Sequence, residues 1–279
     1  MSSGILLINK PSGISSNQAL QQAKKILRVK KAGHFGTLDP LAAGLLILGI
    51  NNGTKLSTLL LNNDKEYEAS ICLGISTDTD DSEGRVIAED HAKISNDKLL
   101  QELSKFRGEQ IQKPPKFSAI KIKGKRLYDY SRKGEEVEIQ PRKVVINDLE
   151  VLDYDYPILK IRLNVSKGTY IRSIARDLGL NLGVGAHLTG LLRTKQGKYT
   201  LSDAVRLEDL QSKNILGLDK IFPDSSTLEI SYSQLLDLKH GRRPPIDLPN
   251  SSYLILKQSN RVVGLGKIEK KQLVKEFLV

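Results

Sequence analysis

Asp39 is the residue of this chain best suited to chemistry. It closes the run Gly33-His-Phe-Gly-Thr-Leu-Asp39 and is followed by Pro40. Pro40 pushes it out of helical geometry towards an extended conformation. Beyond it Gly44-Leu-Leu-Ile-Leu-Gly-Ile50 is short and continuously apolar, the pattern of a buried strand. A carboxylate in a glycine-bordered loop against such a strand is partly desolvated, and burial then controls its ionisation and its aim for attack. Asp before Pro is also a common turn former, so a purely structural role stays open from these residues alone.

Other chemistries find little support. Cys72 is the single cysteine, and the histidines at 34, 91, 187 and 240 lack zinc-ligand spacing. The run Ser76-Thr-Asp-Thr-Asp-Asp-Ser-Glu-Gly84 superficially resembles a calcium loop. Counted from Asp78, however, its sixth position is Glu83 where an EF-hand needs Gly, so a polar hairpin turn is the better account. Gly183-Val-Gly185 lacks the further glycine of a dinucleotide fingerprint, and neither a Walker loop nor a hydrolase signature occurs.

The elements around Asp39 follow from periodicity. Ser15 and Ser16 precede a segment with Leu20, Ala23 and Leu27 at helical spacing and Lys24, Lys25, Arg28, Lys30 and Lys31 towards its end, which predicts a basic amphipathic helix. Tyr67, Ala69, Ile71 and Leu73 alternate, as do Leu159, Ile161, Leu163 and Val165, which predicts two half-buried strands. After the second, Ile171, Ile174, Ala175 and Leu178 predict a helix lying on the sheet, with Tyr170 and Arg172 at the strand-to-helix junction. From about residue 228, short apolar runs around Lys239-His-Gly-Arg-Arg243 suggest a small β-rich module, 228–279, after a main domain of 1–225.

Charge points to a polyanionic partner. The 279 residues carry a net charge of +11, with a pI near 9.5. The segment from Lys105 to Lys143 concentrates it, with 12 Lys/Arg against 5 Asp/Glu and with Phe106, Phe117, Tyr128 and Tyr130 interleaved. Basic charge with aromatics is how proteins hold an RNA backbone and stack its bases, although a solvated excursion with its own small cluster has the same composition. The start of the chain shows no basic leader before a long apolar stretch, and no run reaches membrane length, so the expectation is a cytoplasmic protein that is not exported.

Five segments in order then identify a family. Asn9-Lys-Pro-Ser-Gly13 with Ser15-Ser16, Gly33-His-Phe-Gly-Thr-Leu-Asp-Pro-Leu-Ala-Ala-Gly44, Lys65-Glu-Tyr67, the basic stretch Gln112–Lys121 with Gly124–Tyr128, and Lys167-Gly-Thr-Tyr-Ile-Arg172 followed by Gly185-Ala-His187 resemble the TruB-type tRNA pseudouridine synthases. The match covers most of residues 4 to 205. Phe117, Ala43 and Leu192 stand where the family often has Tyr, Thr and Arg, departures that touch the rim and leave the chemistry in place.

The resemblance implies an α+β pseudouridine synthase fold with a mixed, mostly antiparallel sheet. It also implies a basic RNA-contacting insertion over about 105–143 and a PUA-like C-terminal module. The implied activity is isomerisation of the T-loop uridine at tRNA position 55, by base flipping, with no cofactor, no metal and no obligatory protein partner. The implied catalytic residues are Asp39, its partner Arg172, and Tyr67 against the target base; the implied substrate contacts are Lys10, His34, Tyr170, Leu191, Lys121, Lys125 and Arg126. Two other readings keep the same surface: a non-catalytic RNA chaperone, and a guide-dependent synthase subunit.

Overall fold

The structure is a computed structural model that describes residues 3–118, 121–122, 124–127, 130, 135 and 137–278, with backbone alone at 121, 122, 125, 126 and 252. The first half of the chain contributes β1 (Gly4–Lys10), α1 (Ser16–Leu27), β2 (Ala32–His34), β3 (Ala43–Ile50), α2 (Ser57–Leu61), β4 (Lys65–Leu73), β5 (Ile75–Thr77), β6 (Val86–Glu89), α3 (Asn96–Ser104) and β7 (Gly108–Gln112). After the short β8 (Lys121–Ile122) and β9 (Lys125–Arg126) come β10 (Arg142–Asp155), β11 (Ile158–Val165), α4 (Ile171–Leu182), β12 (Ala186–Gln196), β13 (Tyr199–Thr200), β14 (Val205–Arg206) and α5 (Leu218–Ile221). The chain ends with β15 (Thr227–Glu229), α6 (Tyr232–Lys239), β16 (Ser251–Gln258), β17 (Arg261–Glu269) and β18 (Gln272–Leu278).

One sheet dominates, in the order β14-β1-β3-β12-β4-β11-β10-β7, with β2 on β3 and β13 on β12. Its pairs are antiparallel except β1 with β14 and β3 with β12, so the sheet is mixed and mostly antiparallel as expected. The central β12–β3 pairing joins the strand that follows the Asp39 loop to the strand that carries Leu191.

Alternation along β1 and β3 explains why Leu45–Ile50 is apolar throughout. Leu6, Ile8, Leu46 and Leu48 face a core shared with α1, α3 and α4, through Ala19, Leu20, Ala23, Leu99, Leu103, Ile174 and Leu178. Ile5, Leu7, Leu45 and Ile47 face the opposite way and pack with Phe35, Ile255, Leu265 and Phe277. A strand covered on both faces needs no polar positions. The C-terminal sheet β15-β16-β17-β18 therefore caps the second face of the main sheet, while Ile230, Leu235, Leu238, Leu254 and Leu273 form a smaller core on its other side.

Two boundaries differ from the sequence expectation. In α1, Ser15 and Gln18 form a capping box, and Arg28, at φ 53°, ends the helix in left-handed geometry, so Lys30 and Lys31 lie beyond it. The basic excursion is also shorter than 105–143: Gly108–Gln112 pair with Arg142–Ile146 inside the main sheet, and Phe106 is buried in its core. Hydrophobic packing claims the first of the interleaved aromatics.

One glycine near the Asp39 loop is required by space. Gly44 has φ +103°, and a Cβ there would sit 2.4 Å from the Arg193 carbonyl on β12. Gly44→Ala combines backbone strain with a clash against backbone, and is expected to destabilise the protein by about 2–4 kcal/mol. Urea unfolding that leaves the midpoint unchanged would show that the loop relaxes freely.

Candidate active site

The Asp39 loop is gripped along its length. The Ser16 hydroxyl at the start of α1 accepts from Leu38 N (2.7 Å) and donates to Leu38 O (2.9 Å). Gly13 N donates to Pro40 O (2.8 Å), and Ser12 Oγ to Leu41 O (2.8 Å). From β12, Gln196 Nε2 donates to Phe35 O (2.8 Å), and Arg193 donates to Gly36 O (3.1 Å) and Leu45 O (2.6 Å). Two segments, residues 12–16 and β12, thus hold a loop that glycines alone would leave loose, and Asp39 is aimed by its neighbours' backbone.

It is aimed at Arg172. Arg172 Nη2 lies 2.9 Å from Asp39 Oδ2. Its other amine, Nη1, lies 3.4 Å from Asp81 Oδ2, and the guanidinium also donates to Thr79 O (3.2 Å) and Phe117 O (2.9 Å). The arginine side chain is 5% exposed and Asp81 4%, whereas Asp39 keeps 37% of its side chain open. Asp39 is therefore only partly enclosed: solvent reaches one side, while the protein around it removes much of its hydration.

The electrostatics follow from that position. Burial pushes the Asp39 carboxyl above the usual carboxylate range; the Arg172 charge pulls it back, the Asp81 charge pushes it up again, and hydrogen bonding from Arg172 and the charge of Lys10 favour ionisation. Glu83 is raised by burial and by the Asp81 and Asp39 charges. Lys10 is lowered to about 8, first by burial, and Asp39 opposes that shift. Asp81 is fixed by Thr79 Oγ1 (2.6 Å) and Glu83 N (3.1 Å).

Asp81 and Glu83 are the site residues that sequence reasoning missed. Their run had read as a polar hairpin, and it is one, with β5 and β6 as its arms. The hairpin folds over the N-terminal end of α4, an approach that no local spacing announces. The available signal was a carboxylate-rich turn in a chain with an excess of cations.

The other expected site residues are distributed as follows. Tyr67, 7% exposed, lies on β4 opposite Leu163 and Arg193 and shares the main core with Leu38; Leu191 packs against the same core, partly buried. Tyr170 caps the start of α4 with the Arg142 guanidinium 4.6 Å over its ring, and its backbone exchanges two hydrogen bonds with the Gln112 side chain. His34 is half-buried on β2 opposite Leu48. Lys10 lies beneath the surface. It is fully buried, its ammonium donates to Pro11 O (2.8 Å) and Ile14 O (2.6 Å), and its charge favours the ionised form of Asp39. The Lys121, Lys125 and Arg126 side chains and Tyr128 lie outside the described residues. Among the described residues no cluster of His, Cys, Asp or Glu could hold a metal ion, and no helix is long and apolar enough to cross a membrane.

Comparison with known proteins is decisive for the family. Residues 24–171 match the TruB family pseudouridylate synthase (N terminal domain), and residues 172–226 match the tRNA pseudouridylate synthase B C-terminal domain. The chain belongs to the TruB family. Similar curated members are the tRNA pseudouridine synthase B of Azoarcus sp. (strain BH72), 48% identical over 95% of this chain and 90% of that protein, and its namesake from Francisella tularensis subsp. novicida (strain U112), 40% identical over 97% and 93%. Among solved structures, a Cbf5-Nop10-Gar1 complex contains a chain that superposes with a TM-score of 0.70 at 27% identity, covering 99% of this chain and 84% of that one. As a TruB-family member this protein is a tRNA pseudouridine synthase, an isomerase acting on uridine in tRNA.

Arg172→Lys can satisfy one of the two carboxylates and not both, and turnover is expected to fall about 100-fold. A multiple-turnover assay on a tRNA transcript checks this; near-normal turnover would mean a point charge suffices. The pH dependence has a definite sign. On the reading that Asp39 acts as a carboxylate, activity is expected to fall as pH drops through its raised pKa, above the range of an ordinary aspartate. Asp81→Asn removes one of the charges that raise it and should move that acid limb to lower pH. An unmoved limb in the rate profile would assign it to another group.

Proposed function

We propose that the enzyme converts the T-loop uridine at tRNA position 55 to pseudouridine, alone and without a cofactor. The observation that carries this reading is the contact between a partly desolvated carboxylate, Asp39, and a buried arginine, Arg172. The reaction breaks the bond between the uracil N1 and the ribose C1′, turns the base, and joins C1′ to C5. The C5 proton leaves and N1 gains one, so no oxidant, reductant or water is consumed. A positioned carboxylate beside ribose and base is the group such a reaction calls for.

Around it we assign Tyr67 to the face of the target base, with its hydroxyl available for proton transfer at C5, and Tyr170 and Leu191 to the walls that exclude water. His34, five residues before Asp39 in the chain, is suited to fill the gap left in the T loop. Extruding the uridine costs a few kcal/mol of stacking and pairing. Phosphate contacts from α1 and from the basic segment, with Lys121, Lys125 and Arg126, offset that cost. The setting we infer is the cytoplasm, where a lone buried Cys72 stays reduced.

A guide-dependent reading is favoured by the likeness to a chain from a Cbf5-Nop10-Gar1 complex. The test separates it: purified protein is incubated with an unmodified tRNA transcript, and pseudouridine is mapped. Independent action predicts modification at position 55 by the wild type. Asp39→Asn is expected to lose turnover at least about 10⁴-fold while tRNA binding stays within about threefold. An Asp39→Asn protein that still forms pseudouridine would refute the assignment, and an inactive wild type would favour the guide-dependent reading.

A further inference from the structure

One turn beyond Arg172, on the same face of α4, stands Arg176, for which the mechanism above has no use. It is 24% exposed, and Nη1 lies 3.0 Å from Asp80 Oδ2, whose side chain is 14% exposed. Its Nη2 donates to Lys113 O (2.9 Å), and Ser173 Oγ donates to the same carbonyl (2.9 Å). Nε donates to Asp177 Oδ1 (2.9 Å), which fixes the guanidinium plane.

These contacts repeat the Arg172 arrangement one level down. Asp80 meets Arg176 as Asp81 meets Arg172, and Lys113 O meets Arg176 as Phe117 O meets Arg172. Adjacent residues can address guanidinia one helical turn apart because Asp80 adopts left-handed geometry, φ 64°, which a non-glycine residue occupies at some cost unless its surroundings hold it. Leu188 N fixes the Asp80 carbonyl (3.0 Å), and Arg176 fixes its carboxylate. The acidic hairpin and the root of the basic segment are thereby tied to one helix face at two levels, and only the upper level reaches Asp39.

We propose that Arg176 is a positioning residue: with Asp80 and Lys113 O it locks the hairpin and the segment root on α4, so that Asp81 and Phe117 O hold Arg172 in the orientation that presents it to Asp39. RNA contacts made by the basic segment are then transmitted to the reacting carboxylate through the segment root. The inference rests on the functional reading above, in that the segment is the part that meets tRNA. Arg176 touches no substrate; its effect passes through Asp80 and Asp81 on the hairpin and through Lys113 O and Phe117 O at the segment root.

The test is a single-turnover measurement of pseudouridine formation in a tRNA transcript with saturating enzyme, for the wild type, Asp80→Asn, Arg176→Gln, Arg176→Lys, Asp81→Asn and the double variant Asp80→Asn/Asp81→Asn. Transcript affinity by filter binding and thermal melting accompany each. Asp80→Asn and Arg176→Gln should each slow the step about tenfold, with affinity within about threefold and melting close to the wild type. Arg176→Lys, which keeps the charge, should recover part of the rate. In the Asp81→Asn background the Asp80→Asn effect should vanish, because the path through Asp81 is already cut. Wild-type rates in both single variants, losses that track affinity, or an Asp80→Asn effect undiminished without Asp81 would each overturn the inference alone. A wild type that forms no pseudouridine in the T loop overturns it together with the reading beneath it.

Discussion

A guanidinium withdrawn from water must find partners for its charge and its donors, and the two Nη amines of Arg172 find them in three separate parts of the chain. The Asp39 loop gives one carboxylate, the acidic hairpin gives another and a carbonyl, and the root of the basic segment gives a second carbonyl. Losing one partner of such a buried pair is far more costly than the pair is stabilising, because an uncompensated charge stays behind. The arrangement is therefore weak evidence for stability. Two carboxylates on one arginine also explain how Asp39 can be raised by burial and still be drawn towards ionisation by the same neighbour.

The sheet makes that convergence possible. β12 pairs in parallel with β3 and antiparallel with β4, so it lies between the strand that leaves the Asp39 loop and the strand that carries Tyr67. Arg193 and Gln196, both buried on β12, reach back to the loop's carbonyls. The C-terminal sheet seals the opposite face over Ile5, Leu7, Leu45 and Ile47. Rigid strands below and gripped loops above are the division expected where a reacting group must be held to a fraction of an ångström.

Much of this was legible in the chain where the information is local. The 3.6-residue spacing of Ile171, Ile174, Ala175 and Leu178 gave a helix, the alternation from Tyr67 to Leu73 gave a strand, and the unbroken apolar run to Ile50 gave a strand buried on both faces. The Asp39–Arg172 pairing came from ordered motifs and not from periodicity, because nothing local links a loop to a helix so far along the chain. Asp81 was hidden for the same reason: its turn looks like any solvated hairpin until α4 is laid beneath it. The basic segment was drawn too long because charge was counted without register, and β7 had been claimed by the sheet through its pairing with β10. The burial of Lys10 was not legible either, because it depends on the carbonyls of Pro11 and Ile14 accepting from its ammonium.

The central claim is that one arginine draws towards ionisation a carboxylate that burial pushes the other way. The most direct measurement is the carbon-13 titration of the Asp39 carboxyl in the free protein, with its resonance assigned by its loss in Asp39→Asn. It is followed in the wild type and in Arg172→Gln. The account predicts a wild-type midpoint above that of an ordinary aspartate and a higher one still when the Arg172 charge is removed. A midpoint that is ordinary, or that ignores the substitution, would contradict it.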